Sequence, residues 1–148
     1  MNKDKKVMTE TFNQIAKNCS FEIIESTAVI QHKNFLNEQI RSHSLIGITF
    51  SSLTFLDCNF IDIDFMGTTF IACDFTNCNF TATEFFKSRL DYCSFKNCKI
   101  FKSDFSKSEF IEDHFIDCQF DDVNMAGAVC KECEFIKPKF KNRCFLKD

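Results

Sequence analysis

Apolar side chains recur at every fifth position over most of the chain. From Phe50 the series runs Phe50, Phe55, Phe60, Phe65, Phe70, Phe75, Phe80, Phe85, Leu90, Phe95, Ile100, Phe105, Phe110, Phe115, Phe120, Met125, Cys130, Phe135, Phe140 and Phe145, and it extends back through Leu45, Ile40, Phe35 and Ile30. A helix repeats near 3.6 residues and a strand at 2, so neither element by itself produces a strict period of five. A second, smaller set lies two residues before each central position and includes Cys58, Ile63, Thr68, Cys73, Cys78, Thr83, Ser88, Cys93, Cys98, Ser103, Ser108, Cys118, Val123, Ala128 and Cys133. Residues two apart on an extended segment face the same way. Each five-residue unit therefore points one small and one large residue inward and leaves three mostly polar positions outside. A chain that turns inward twice in five residues must bend once per unit, which predicts short strands joined by corners.

The number of units per coil follows from a second period. FLDCNF (55–60), FTNCNF (75–80), FKNCKI (95–100) and FIDCQF (115–120) recur at intervals of twenty. This places Cys58, Cys78, Cys98 and Cys118 in one column, with Asp57, Asn77, Asn97 and Asp117 beside it. Gly47, Gly67 and Gly127 fall at one corner, where positive φ favours glycine. Twenty residues are four units, so the coil is square; a fifteen-residue triangle would scatter these columns. From Ile30 roughly six coils fit, a rod about 29 Å long at about 4.8 Å per layer.

Tandem units with a central Phe or Leu and a small residue two before it resemble the pentapeptide-repeat family. The resemblance covers about residues 30–148 and implies an all-β fold, a right-handed quadrilateral β-helix. The expected organisation is a cap segment over residues 1–29 and a β-helix over 30–148. Met8, Phe12, Ile15, Ala16 and Cys19 are spaced for an amphipathic helix, which predicts a short helical cap over the open end of the stack.

Composition sharpens this reading. Of the aromatic residues, 21 are Phe and one is Tyr, with no Trp, a narrowness expected of a repeat. The charged N-terminus lacks the apolar stretch of a signal peptide, and no apolar run is long enough to span a membrane. A reducing, cytoplasmic setting with free thiols is therefore expected for the ten cysteines. Seven of these occupy the small inward position, where Cys serves as a compact filler. Stacked neighbours would stand about 4.8 Å apart with parallel Cβ vectors, too far for a disulfide, and one column does not converge as four zinc ligands must. Replacement of Cys78 or Cys98 by Ala is accordingly expected to leave stability nearly unchanged, and Cys144, at an outward position, is the most reactive thiol expected. The structural core is Phe55, Phe75, Phe95 and Phe115 with Cys58, Cys78, Cys98 and Cys118.

No phosphate loop, metal box or nucleophile motif is present, so no enzyme activity, catalytic residue, cofactor or metal is expected. His32, His43 and His114 share no column and pair with no Cys or carboxylate at a motif spacing. Asp113 is an acid at an inward position and is expected to kink the coil locally; Pro138, also inward, is expected to help end the pairing.

The remaining information is on the surface. Met66 and Phe86 are twenty apart and stack on one face, while Ile61 and Phe101 lie on a neighbouring one; these four are the candidate interaction surface. Acidic and basic bands alternate along the chain: 57–84 carries five carboxylates and no base, whereas Lys87, Arg89, Lys96, Lys99, Lys102 and Lys107 cluster within about one coil. The expected function is a non-catalytic interaction or scaffold rod, a monomer or weak dimer with a protein partner and no direct nucleic-acid binding. A second reading comes from resemblance: units such as FxNCxF resemble those of Qnr-type proteins, which protect DNA gyrase and topoisomerase IV from quinolones. That resemblance implies mimicry of duplex DNA by an acidic rod, usually dimerised through a C-terminal segment. Here the chain runs three residues past Phe145, with no dimerisation helix expected, and basic bands interrupt the acidic ones.

Overall fold

The computed structural model describes residues 21–24 and 27–144. All regular structure among them is strand, wound as a parallel β-solenoid of about six coils. The period of twenty is the pairing register itself: Phe55 lies beside Phe75 and Phe75 beside Phe95, and the same offset holds on the other faces. One face begins with β1 (Phe21–Ile24) and β2 (Thr27–Gln31) and continues through Thr49–Ser51, Thr69–Ile71, Arg89–Asp91, Glu109–Ile111 and Val129–Lys131. A second stacks Asn34–Leu36 up to Glu134–Ile136, and a third stacks Gln39–Ser44 up to Lys139–Lys141. The fourth is held by single bridges, Asp64 to Glu84, Glu84 to Asp104 and Asp104 to Asn124. Four faces per twenty residues make the square.

The described part of the N-terminal segment is strand. β1 pairs antiparallel with β2, Phe21 opposite Ile30 and Ile24 opposite Thr27. A folded-back strand satisfies the backbone groups that an exposed edge would leave unpaired, so residues 21–24 cover that edge by pairing. The Met8–Cys19 helical pattern lies outside the described residues.

Inside, the coil spacing dictates ring stacking. Phe35, Phe55, Phe75, Phe95, Phe115 and Phe135 form a continuous column with centroids 4.7–5.0 Å apart and nearly parallel planes. That distance equals the separation of hydrogen-bonded strands, so one repeat serves backbone and rings together. Rings on adjacent faces meet tilted or edge-on, as Phe75 does with Phe80 at 5.4 Å and 66°, the arrangement the ring quadrupole favours. The floor of the last described coil is less covered: Cys130 and Phe140 are exposed and Phe135 is half-buried.

The corners depend far less on glycine than the sequence suggests. Among the described residues nineteen other than glycine have positive φ, at the second position after a central residue, including Tyr92 at 58° and Lys102 at 49°. Gly47, Gly67 and Gly127 do share one corner, with φ of 69°, 64° and 70°, but Lys87 and Lys107 fill the same column at 56°. A left-handed side-chain-bearing residue costs of order 1–2 kcal/mol. The stack imposes it, because corner N–H groups below the last described coil donate to the next coil, as Tyr92 N–H does to Ile111 O at 2.9 Å and Asn97 N–H to Ile116 O at 2.8 Å. Asn and Asp tolerate this conformation best, which explains the column of Asp57, Asn77, Asn97 and Asp117, where Asn77 Nδ2 donates to Asp57 Oδ1 at 3.1 Å and Asn97 Nδ2 to Asn77 Oδ1 at 2.7 Å.

The small inward residue is more than a filler. Its side chain donates to the carbonyl of a central residue one coil below: Cys78 Sγ to Phe55 O at 3.5 Å, Cys98 Sγ to Phe75 O at 3.4 Å, Cys118 Sγ to Phe95 O at 3.2 Å, Thr68 Oγ1 to Leu45 O at 2.8 Å and Ser108 Oγ to Phe85 O at 2.6 Å. Cys, Ser and Thr share a donor as well as a size, which is why they alternate there. Replacement of Cys78 by Ala is therefore expected to cost roughly 1 kcal/mol, and Cys78→Ser clearly less, in urea denaturation under reducing conditions. Equal costs for the two variants would show that the thiol's donation contributes nothing.

Candidate interaction surface

The fourth face carries the most differentiated outward chemistry. Its core column is Leu45, Phe65, Phe85, Phe105 and Met125, all buried. Outward, the residue before each central position forms a row of acids, Asp64, Glu84 and Asp104, ending at Asn124. Asp64 Oδ1 accepts the Met66 N–H at 2.9 Å, Asp104 Oδ1 the Ser106 N–H at 2.7 Å and Asn124 Oδ1 the Ala126 N–H at 3.0 Å, so three side chains of the row fold back onto their own strand. Glu84 is the longer acid between two others. Partial burial, then the charges of Asp104 and Asp64, hold it above the usual carboxylate range. The charge bands read along the chain thus hide an axial row in which three carboxylates stack through the basic band, since residues twenty apart are neighbours in space.

Beside this row stand Met66 and Phe86. The structure brings them together on adjacent coils, with Gly67 N–H donating to Phe86 O at 3.0 Å. Phe86 is half-buried and bounded by two cations, Lys87 Nζ 5.2 Å and Lys107 Nζ 5.6 Å from the ring centroid. Ile61 and Phe101 sit on the neighbouring face but are not brought together: Thr81 pairs between them in register. Phe101 carries Lys102 Nζ 5.2 Å from its ring. The surface is therefore a pair, Met66 with Phe86, and a separate aromatic at Phe101, each beside lysine.

Other sequence-flagged residues resolve differently. Asp113 is fully buried without kinking the coil: its carboxylate accepts the Cys93 N–H at 2.6 Å and the Ile111 N–H at 3.0 Å, and pairing continues in register beyond it. The expected kink is absent because the side chain takes up backbone donors that the column already presents. Burial, ahead of those hydrogen bonds, still pushes Asp113 up to about 7. Pro138 does not end the pairing either, since Lys139–Lys141 still pairs with Gln119–Asp121. His114 lies on the exposed surface, its Nδ1 3.3 Å from Glu134 Oε2 one coil away, a cross-coil neighbour that no motif spacing marks. Cys144 turns inward instead of outward, its Sγ donating to Phe120 O at 3.4 Å and Lys141 O at 3.2 Å. The buried column thiols perturb one another: the neighbouring thiols, then burial, push Cys58, Cys93 and Cys98 up, while the same neighbours pull Cys73, Cys78 and Cys118 down against burial. A pair missed in the sequence reading is Cys130 and Cys133, which take the two inward positions of one corner and perturb each other. The signal was available as Cys-Lys-Glu-Cys, but Cys130 was absorbed into the central apolar series.

Among the described residues no His, Cys, Asp and Glu cluster is arranged to hold a metal ion, and no helix is long and apolar enough to cross a membrane. The family described as a pentapeptide repeat region matches residues 68–145, and pentapeptide repeats match residues 44–81. A pentapeptide repeat protein, Rfr23, from the cyanobacterium Cyanothece 51142 superposes with a TM-score of 0.57 at 11% identity, covering 90% of this chain and 99% of that one. Full-length QnrB1, a plasmid-mediated fluoroquinolone resistance protein, aligns with a TM-score of 0.34 at 15% identity over 76% of this chain and 81% of its own. HetL, a pentapeptide repeat protein involved in heterocyst differentiation regulation from Nostoc sp. strain PCC 7120, aligns at 0.27 and 8% identity over 72% and 86%. No curated protein matches the sequence.

Proposed function

Because the chain belongs to the pentapeptide-repeat family, we propose that it is a non-catalytic interaction rod that binds a protein partner through its fourth face. The observation that carries this reading is the Met66–Phe86 pair set between an axial acidic row and the lysines 87 and 107. Side chains that combine apolar area with flanking charge of both signs suit a protein surface, where an aromatic anchors and a charged rim orients. Among the described residues the buried inward positions are taken up by packing and by hydrogen bonds to the backbone, an arrangement that suits a binding rod. The test is affinity capture from the native host, comparing the intact chain with Met66→Asp and Phe86→Ser. A partner retained by the intact chain and lost from both variants supports the reading; one retained equally by all three removes this face from it.

One observation favours the second reading, an acidic DNA mimic that protects a topoisomerase. Asp64, Glu84 and Asp104 stack at strand spacing straight through the basic band, so a short negative ridge exists where the chain order suggests interruption. Lysines nevertheless flank the ridge, Lys102 at the corner before it and Lys87 and Lys107 at the corner after. A mimic competes for a saddle that is itself basic, and cations on both sides of the ridge oppose entry. No protection of DNA gyrase from a quinolone is therefore expected in a supercoiling assay at micromolar protein. If protection is observed, and neutralising Asp64, Glu84 and Asp104 abolishes it, the mimic replaces the rod reading.

A further inference from the structure

The six thiols Cys58, Cys73, Cys78, Cys93, Cys98 and Cys118 are buried; Cys130 is exposed and Cys133 half-buried. Cys130 is the middle residue of the strand Val129–Lys131 and stacks over Phe110. The chain then bends through Glu132, whose φ is 54°, and brings Cys133 to the next inward position, above Asp113 in the column. Elsewhere in the described stack the central residue before each corner is Phe, Leu, Ile or Met. Only here are both inward positions of one corner thiols. A four-residue turn holds its end Cα atoms within about 7 Å, and a disulfide spans Cα separations up to about 6.8 Å. The two thiols occupy successive inward positions of this one corner and are near enough for each to perturb the other. The vertical thiol ladder lacks this geometry, since its Cβ vectors run parallel.

We propose that Cys130 and Cys133 are a reversible dithiol–disulfide pair, closed by exchange with a low-molecular-weight disulfide of the glutathione class. The Cys130 thiolate attacks one sulfur of the small disulfide, forming a mixed disulfide and releasing the first thiolate. Cys133 then gives up its proton and attacks Cys130 Sγ, forming the internal bond and expelling the second thiolate. Both released thiolates take up a proton. The pair loses two electrons and two protons, and one small disulfide becomes two small thiols. A small thiol in excess reverses both steps.

The surroundings tune the pair towards the closed state. Partial desolvation, then the neighbouring Cys133 charge, pushes Cys130 up to about 11, and burial first, with the Asp113 charge contributing, raises Cys133. A dithiol whose thiolates are not stabilised loses less on closing than one held as a thiolate, while its attack is slow at neutral pH.

The test is incubation of the full chain with oxidised glutathione at pH 8.5, followed by intact mass and a peptide map of the alkylated protein, with circular dichroism to establish that each variant is folded. The expected product has lost two hydrogens, carries no glutathione and is linked between Cys130 and Cys133; reduced glutathione in excess restores the starting mass. Cys133→Ser should stop at a glutathione adduct on Cys130, and Cys144→Ser should behave as the intact chain does. A persistent glutathione adduct on the intact chain, a link from either residue to Cys144, or a link between two chains would overturn the proposal.

Discussion

Replacement of Phe95 by Ala is expected to lower the unfolding free energy by roughly 3–5 kcal/mol. Phe95 is essentially inaccessible, at 1% exposure, and its ring is stacked between Phe75 at 4.7 Å and Phe115 at 4.8 Å and tilted against Phe80 at 5.9 Å. The loss combines the transfer of a large apolar side chain with a cavity that cannot collapse, because the coils above and below are held at strand spacing by backbone hydrogen bonds. In a stacked architecture each coil's stability also depends on its neighbours, so the hole weakens two interfaces. Phe101→Ser, at an outward position with 38% of its surface exposed, is expected to cost less than about 1 kcal/mol. Urea denaturation of the two variants checks this, and comparable losses would mean that the inward and outward assignments are wrong.

Asp113 is expected to make the protein less stable at pH 8 than at pH 5. Its carboxyl is raised from 3.8 to about 7, burial being the largest cause, with the Asp91 charge adding and the hydrogen bonds from Cys93 and Ile111 opposing. Below about pH 4 the group is protonated in both folded and unfolded chains, and its contribution is fully present. As the pH rises the unfolded chain gives up the proton first, so stability falls by up to about 1.4 kcal/mol per pH unit until the folded carboxyl ionises near 7. The full span is of order 4 kcal/mol. Glu84 is raised too, so it contributes in the same direction. Serine occupies the equivalent inward site at 88, 103 and 108, and Asp113→Ser can likewise accept the Cys93 N–H while donating to a carbonyl below. The variant should therefore be more stable than the intact chain at pH 8, by roughly 1–3 kcal/mol, and should lose most of the difference between pH 5 and pH 8. Denaturant titrations of both proteins at the two pH values decide the matter; an unchanged pH dependence in the variant would place its origin elsewhere.

The architecture was legible because two periods in the sequence correspond to two physical constraints. A Phe every five residues with a small residue two before it can face one core only if the chain bends once per unit. The recurrence of Cys58, Cys78, Cys98 and Cys118 at twenty sets the number of bends per coil, and so the parallel register. Families of columns, the Asx row and the glycine corner followed at once. Within the candidate surface, the juxtaposition of Met66 and Phe86 came from the same arithmetic.

What the tertiary structure alone decided lies where chain neighbours and spatial neighbours differ. Backbone strain is one case: Tyr92 and Lys102 show no local preference for a left-handed conformation, and only hydrogen bonds to the coil beside them impose it. The function of the small inward thiols is another, since their acceptors lie 23 residues away, as for Cys78 and Phe55, a separation with no local signature. Asp113 looks like a fault in the column until the Cys93 and Ile111 N–H groups are seen converging on it. Glu84 looks solitary between distant acids until stacking places Asp64 and Asp104 on either side. At the N-terminus, local helical spacing said nothing of residues 21–24, which are strand because β2 offers them a free edge. A repeating sequence determines which side chains share a column; only the closed coil determines which backbone donors, acceptors and charges each column then meets.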